Sequence, residues 1–393
     1  PGVTAALAAA ACTEIPLTHR AFASAVALVT GHEDPGKVES HLDWDALANF
    51  PGTLAVYMGV SQLSHITHEL IARGMSAQTP AALVYRASTG EQRTVAAPLG
   101  ELDGRVRQAG LTRPSLVLVG PAVGAKPATS WFEDRPLAGL RVVVTRPRDQ
   151  ALAFARRLEL LGAVPLMLPV LEARPPADWG PADAAIRQLR AGGYDWVVFT
   201  SANGVAGFLG RLRTLGFDAR VFGRARLAAI GPATAAALGE AGLIPDLVPA
   251  DDLRSEQLAD LLAGHCRGAR VLLAQAAQGR EVLRDRLGAV AAVDVAVVYE
   301  QAVVADPSHE VFDRLGRGEV DVVTLTSPNI ATAFLAACDD AARGRLRDGS
   351  TRLVVNSDRL ARLLADAGYA ARVAPDPTAD GLIAGLKAVA AEK

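Results

Sequence analysis

Residues 195–208 read DWVVFTSANGVAGF, and residues 321–334 read DVVTLTSPNIATAF. Both fit one pattern: Asp, four mostly apolar residues, Thr-Ser, any residue, Asn, four residues, Phe. They align without a gap, 126 residues apart. Each opens on a short β-branched run of buried-strand type and changes to helical spacing after the Thr-Ser. Ser and Asn favour helix N-caps, so each copy predicts a strand running into a helix, with polar groups at the strand's C-terminal end. Open α/β sheets bind ligands at that edge, and free helix N–H groups there suit anions. Any two strand–turn–helix units share some of these traits. The common Asp, Asn and Phe favour a pseudo-repeat: two similar α/β domains facing across a cleft.

The same alternation runs outward from both copies. Strands are predicted at 140–145, 164–170, 225–230, 247–248, 270–275, 292–299, 352–355 and 371–373, with helices between them and the Pro-rich 171–181 as a crossover. This spacing means parallel sheets covered on both faces. After copy one comes ARLAAIGPATAAALGEAGL (225–243), and after copy two STRLVVNSDRLARLLADAGY (350–369). Both read as strand, polar turn, helix and Gly stop. Ahead of these lobes, 1–124 begins with an Ala-rich helical pattern and continues with strands at 53–60, 81–86 and 116–119 and helices at 61–73 and 103–109. Residues 125–136 show no periodicity and read as a linker.

At 393 residues the chain exceeds one core. With 40 basic and 42 acidic residues, the balance supports neither nucleic-acid nor membrane-surface binding. An anionic ligand must then be held by local amides and single arginines. Cys12, Cys266 and Cys338 show neither pairing nor metal spacing, which suits a reducing cytoplasm. No apolar run reaches membrane-spanning length. His65 and His68 stand three apart on a predicted helix, which suits a metal geometrically, but with no third ligand nearby solvent-exposed histidines are the preferred reading.

Residues 137–393 resemble uroporphyrinogen-III synthase through VVVTRP with Arg146, FTSANGV, AAIGPATAAAL, Val298-Tyr299 and LTSPN. The resemblance implies two doubly wound α/β lobes, one of them discontinuous. Here that means 137–172 with 305–393 as one lobe and 173–304 as the other, a division under which each lobe holds one Thr-Ser unit. Asn356-Ser357-Asp358 departs from the family's Gly-containing turn. Residues 1–124 resemble the C-terminal half of uroporphyrinogen-III C-methyltransferase, a partial tetrapyrrole-methylase α/β domain. The motifs are PGVTAALAAA, IPLTHRAFASAVALVTGH, GTLAVYMGV, LIARGMSAQTPAALV, Gln92 and RPSLVLVGPAVG. That family's S-adenosylmethionine loop and first domain would precede Pro1. Either the sequence belongs to a longer fusion, or another polypeptide or a second copy completes the unit.

By this resemblance the synthase part closes hydroxymethylbilane, an open tetrapyrrole with eight carboxylates, into uroporphyrinogen III. It would remove the terminal hydroxyl and invert the last ring, with no cofactor or metal. Tyr299 is the candidate acid; a tyrosine capping a strand with its ring in the core is the other reading. Thr200, Ser201, Asn203, Gly231, Thr234, Thr326, Ser327 and Asn329 are candidate carboxylate binders through helix-start amides and hydroxyls. Gln275 and Arg280 flank another such turn. Arg146 pairs either with a substrate carboxylate or in a surface salt bridge. In the methyltransferase part Thr4, Met58, Gly59, Pro80, Ala81 and Ala82 match places where the family wraps S-adenosylmethionine, and Thr18-His19-Arg20 and Gly31-His32 match motifs nearer the tetrapyrrole. The rival readings are a two-lobed anion-binding protein without catalysis and a nucleotide-dependent enzyme; the latter lacks GxGxxG and GxxxxGK.

Overall fold

Strands β1 (Val26–Thr30), β2 (Thr53–Tyr57), β3 (Pro80–Tyr85), β4 (Arg93–Pro98) and β5 (Ser115–Val119) form the first sheet, in the order β1-β2-β5-β3-β4. The protein is described by a computed structural model over residues 2–32, 41–249, 255–279 and 281–392. Only β1 and β2 pair in parallel; the remaining ladders are antiparallel. Alternate residues serve opposite faces. Leu83 and Val117 pack with helices Leu63–Ala72 and Leu99–Gln108, whereas Ala82, Val84 and Leu118 pack with helix Ala5–Thr13. The strand expected over 53–60 stops at Tyr57, because Met58 takes a positive φ of 54°.

The segment expected to be a linker is instead a packed strap. Ser130 and Phe132 are buried. Glu133 Oε1 accepts from Gln92 Nε2 at 3.0 Å and from Thr94 Oγ1 at 2.6 Å, and Trp131 Nε1 donates to the Ala11 carbonyl. Missing periodicity here reflects turns pinned by side chains.

The chain forms two compact units, Pro1–Pro169 with Ala305–Lys393, and Val170–Val304. β6 (Arg141–Val144) and β7 (Val164–Met167) belong to the first. The second holds β8 (Leu171–Arg174), β9 (Trp196–Phe199), β10 (Arg226–Ala229), β11 (Arg270–Ala276) and β12 (Ala292–Val303), ordered β10-β9-β11-β12-β8. The first four are parallel, and β8 runs antiparallel to the end of β12, from Glu300↔Arg174 to Val303↔Leu171. This corrects two expectations. The start of the supposed crossover at 171–181 is a strand, so the sheet is not purely parallel. Nor does the strand bearing Tyr299 end there; it continues to Val303 because β8 supplies a ladder for it. The strand expected at 247–248 is one bridge, Leu247 to Ala228.

β13 (Val322–Leu325), β14 (Arg352–Val355) and β15 (Ala371–Val373) return to β6 and β7, in the all-parallel order β15-β14-β13-β6-β7. Helix Asp340–Arg347, absent from the sequence reading, packs in the same unit.

The pseudo-repeat has a structural basis. Asp195 accepts the Arg270 N–H at 2.9 Å, and its backbone pairs with Arg270 and Arg226, which open β11 and β10. Asp321 accepts the Arg141 N–H at 2.7 Å, and its backbone pairs with Arg141 and Arg352, which open β6 and β14. Each Asp therefore ties its own strand to both neighbours. Phe208 and Phe334 are fully buried, anchoring each following helix to its sheet.

Candidate active site

Both Thr-Ser units end their strands in the expected way. Ser201 (φ −169°, ψ 158°) caps helix Ala202–Thr214, and Ser327 (φ −157°, ψ 157°) caps helix Pro328–Ala337. The Ser201 hydroxyl accepts from Gly204 N–H at 2.9 Å, and that of Ser327 from Ile330 N–H at 3.2 Å. Extended backbone turning sharply into a helix leaves first-turn amides pointing off the sheet edge, where an anion is stabilised.

In the Val170–Val304 unit, this edge gathers most of the predicted residues. Tyr299 is 8% exposed, and its hydroxyl lies 3.0 Å from Ser201 Oγ. The ring packs in the core, as one sequence reading expects, and its hydroxyl reaches the helix start. Thr200 leans towards the Ala274 carbonyl at 3.5 Å, a weak contact. Asn203 is half-buried in the first turn of the helix. Gly231 caps helix Pro232–Glu240, and Thr234 is buried in its first turn. Gln275 is buried with its side-chain end against Gly279, where a Cβ would lie 2.6 Å from its Cδ. Arg280 lies outside the described residues. Sequence reasoning missed Gly207, whose Cβ would meet the Val298 carbonyl at 2.4 Å. That closeness lets the helix settle on β12 beside Tyr299.

In the other unit, Arg146 follows β6 and Thr145, which donates to the Thr324 carbonyl at 2.7 Å. The Arg146 Nε is buried without a hydrogen-bond partner, and its guanidinium lies over Phe154, 5.0 Å from the ring centroid. Burial, reinforced by the charge of Arg157, pulls its pKa below the ordinary arginine value. The predicted surface salt bridge is not formed among the described residues. Thr326 and Ser327 are half-buried at this edge, and Asn329 is exposed.

The first sheet carries a separate cavity of about 720 Å3, lined among others by Ala5, His32, Tyr57, Met58, Arg86 and Arg113. Thr4 Oγ1 and the Ala6 N–H both bond the Tyr57 hydroxyl, which fixes the start of the first helix. Gly59 sits against Gly31, where a Cβ would meet its Cα at 2.7 Å. Thr4, Met58 and Gly59 thus belong to one neighbourhood. Pro80, Ala81 and Ala82 do not line this cavity: they lie in β3, with Ala81 and Ala82 buried on opposite faces of the sheet. Tyr57, just before the Met58-Gly59 motif, was overlooked because it reads as strand. His19 stacks on Phe22 at 4.6 Å. His65 faces Trp44 and Glu69, and no cluster able to hold a metal occurs among the described residues. No helix among them is long and apolar enough to cross a membrane.

Comparison with known proteins bears on both parts. Residues 153–384 match the family model for uroporphyrinogen-III synthase HemD, and residues 1–103 that for tetrapyrrole (corrin/porphyrin) methylases. A porphyrin biosynthesis protein HemD of Ruminiclostridium josui is 31% identical over 86% of this chain and 67% of its own length. A uroporphyrinogen-III C-methyltransferase of Bacillus subtilis is 31% identical over 56% of this chain and 44% of its own. An S-adenosyl-L-methionine-dependent uroporphyrinogen III methyltransferase of Methanosarcina barkeri is 39% identical over 31% of this chain and 48% of its own. The chain thus spans less than half of either methyltransferase. With its two Asp-anchored sheets and their Ser-capped helices, the chain belongs to the uroporphyrinogen-III synthase family, and a tetrapyrrole-methylase segment precedes its synthase domain.

Proposed function

We propose that residues 137–393 convert hydroxymethylbilane to uroporphyrinogen III. The observation that carries this is Arg146: a guanidinium with a buried, unpartnered Nε at the ligand-binding edge of a parallel sheet. A buried N–H without an acceptor on a half-buried guanidinium is costly, and a substrate carboxylate would supply that acceptor. Helix starts at Ser201, Gly231 and Ser327 offer further carboxylate sites, each contributing about 0.3–1 kcal/mol. Tyr299 serves as general acid. Its proton passes to the terminal hydroxyl, the C–O bond breaks with its electron pair on oxygen, and water leaves. The last ring then closes the macrocycle in inverted sense, and the proton released from its carbon restores the phenol. Most of this task is positioning and charge placement.

The test is direct. Hydroxymethylbilane closes by itself to the symmetric type I isomer. The full chain, with no added cofactor or metal, is expected to yield type III, read by chromatographic separation of the oxidised isomers. Type I alone, formed no faster than without the protein, would overturn the assignment and favour a binding protein.

For the N-terminal segment, Thr4, Met58 and Gly59 are proposed to contribute one wall of an S-adenosylmethionine site, the apolar Val60, Val84 and Leu116 completing it. When bound, that cofactor supplies an electrophilic methyl group. Titration calorimetry with S-adenosylhomocysteine should show saturable binding that Met58→Asp weakens at least about tenfold, the scale of one lost apolar contact plus a buried charge. Absence of binding would remove this part of the reading.

A further inference from the structure

The Tyr299 and Ser201 hydroxyl oxygens lie 3.0 Å apart, and either could be the donor. A hydroxyl carries one proton and two lone pairs. Ser201 Oγ already accepts the Gly204 N–H at 2.9 Å. If Tyr299 donated to it as well, both Ser201 lone pairs would be filled and its own proton would lack an acceptor. In the opposite direction the proton left free is the tyrosine's, which is the arrangement an acid needs. Gly204 donates to Ser201, Ser201 donates to Tyr299, and the tyrosine proton is left for a ligand. Among the described residues the Tyr299 hydroxyl has no other hydrogen-bond partner.

We propose that Ser201 is a positioning residue: it aims its proton at the Tyr299 oxygen, so that Tyr299 presents its own proton to the leaving hydroxyl. This rests on the reading of Tyr299 as the acid. As the phenol gives up its proton, its oxygen gains negative charge. The Ser201 O–H then donates to a charged acceptor, and the Gly204 N–H behind it polarises the serine in the favourable sense. The positive end of helix Ala202–Thr214 acts in the same direction. No atom of Ser201 joins the reaction; its proton stays on the serine. Gly207, by bringing the helix against β12, sets the spacing between the two hydroxyls.

The test is a double-mutant cycle on the full chain with four proteins: wild type, Ser201→Ala, Tyr299→Phe and the pair, with Ser201→Thr as the conservative control. Rates of type III formation and thermal midpoints are measured for each. Ser201→Ala is expected to lower kcat about tenfold while KM stays within about twofold, and Ser201→Thr to restore kcat. In the Tyr299→Phe background, Ser201→Ala should cost nothing further, because the serine acts only through that oxygen. Loss of the helix cap alone would lower the thermal midpoint and reduce both backgrounds alike. Full kcat in Ser201→Ala, or an equal loss in both backgrounds, overturns the proposal while the synthase assignment stands. Full rate in Tyr299→Phe removes the acid and this inference together. A wild type giving only type I removes the whole reading.

Discussion

The two sheets share a frame and carry different chemistry. Trp196 pairs with Val271 on β11, and its counterpart Val322 pairs with Val142 on β6. Counting on from those partners, 271 to 275 and 142 to 146, puts Gln275 and Arg146 at the same place in the two frames. One lobe keeps a neutral amide there, the other a charge. On the next strand outward the asymmetry reverses. β12 carries Tyr299 to the helix start, whereas β7 ends at Met167 with no such residue. The duplicated frame thus carries a tyrosine hydroxyl at the helix start in one lobe and an unpartnered guanidinium nitrogen in the other, the groups to which the proposed function gives the proton and the anion. The Asp tethers differ too. Arg141 donates to Asp321 through its backbone and through Nε at 3.0 Å and Nη2 at 2.9 Å, whereas Asp195 takes the Arg270 backbone N–H.

The largest effect should come from removing what one lobe has alone. Tyr299→Phe is expected to slow type III formation about ten- to a thousandfold, with an unchanged fold by circular dichroism. A full rate would erase the division of labour. Next comes the charge: Arg146→Gln, which makes the two lobes alike at that place, should raise KM about tenfold and leave kcat nearly unchanged, the scale of one charged hydrogen bond. A change in kcat alone would place Arg146 in the chemistry instead. Third, the tethers: Asp321→Ala should destabilise by about 3 kcal/mol and Asp195→Ala by about 1 kcal/mol in urea unfolding, because Asp321 is the more enclosed and takes more bonds. Equal losses would show that the backbone acceptor matters and the guanidinium does not.

The smallest effect concerns pH. Arg211 bonds both carboxylate oxygens of Asp183 at 2.6 Å and holds its pKa below the usual carboxylate value. A depressed folded pKa adds stability above the unfolded value of about 3.9 and loses it as pH falls through the folded one. The stability gap between wild type and Asp183→Asn should therefore shrink from pH 5 downwards. A gap that widened would reverse the sign.

The sequence was most legible where a residue does one job in both lobes. Asp195 and Asp321 must accept from a neighbouring strand, Ser201 and Ser327 must cap, and Phe208 and Phe334 must fill a core, so those types recur at fixed spacing. It was least legible where partners are distant in the chain. Leu171–Arg174 is a strand only because Glu300–Val303 lies beside it. Glu133 looks like a linker charge until Gln92 and Thr94 reach it. The Ser201–Tyr299 contact spans 98 residues, and no local pattern announces it.

The strand order has a consequence for synthesis. Read around the chain, β9, β10, β11 and β12 occupy the places that β13, β14, β6 and β7 occupy in the other sheet. One lobe is therefore a circular permutation of the other. The Val170–Val304 unit can close as soon as its last strand leaves the ribosome. β6 and β7 emerge earlier, but β6, which ends at Val144, must wait for β13, which begins at Val322, to cover its open side. Until then the run Val142, Val143, Val144 is an unprotected strand edge, the kind of surface that pairs with a stranger. Nascent chains stalled before residue 320 should lean on chaperones more than chains released whole.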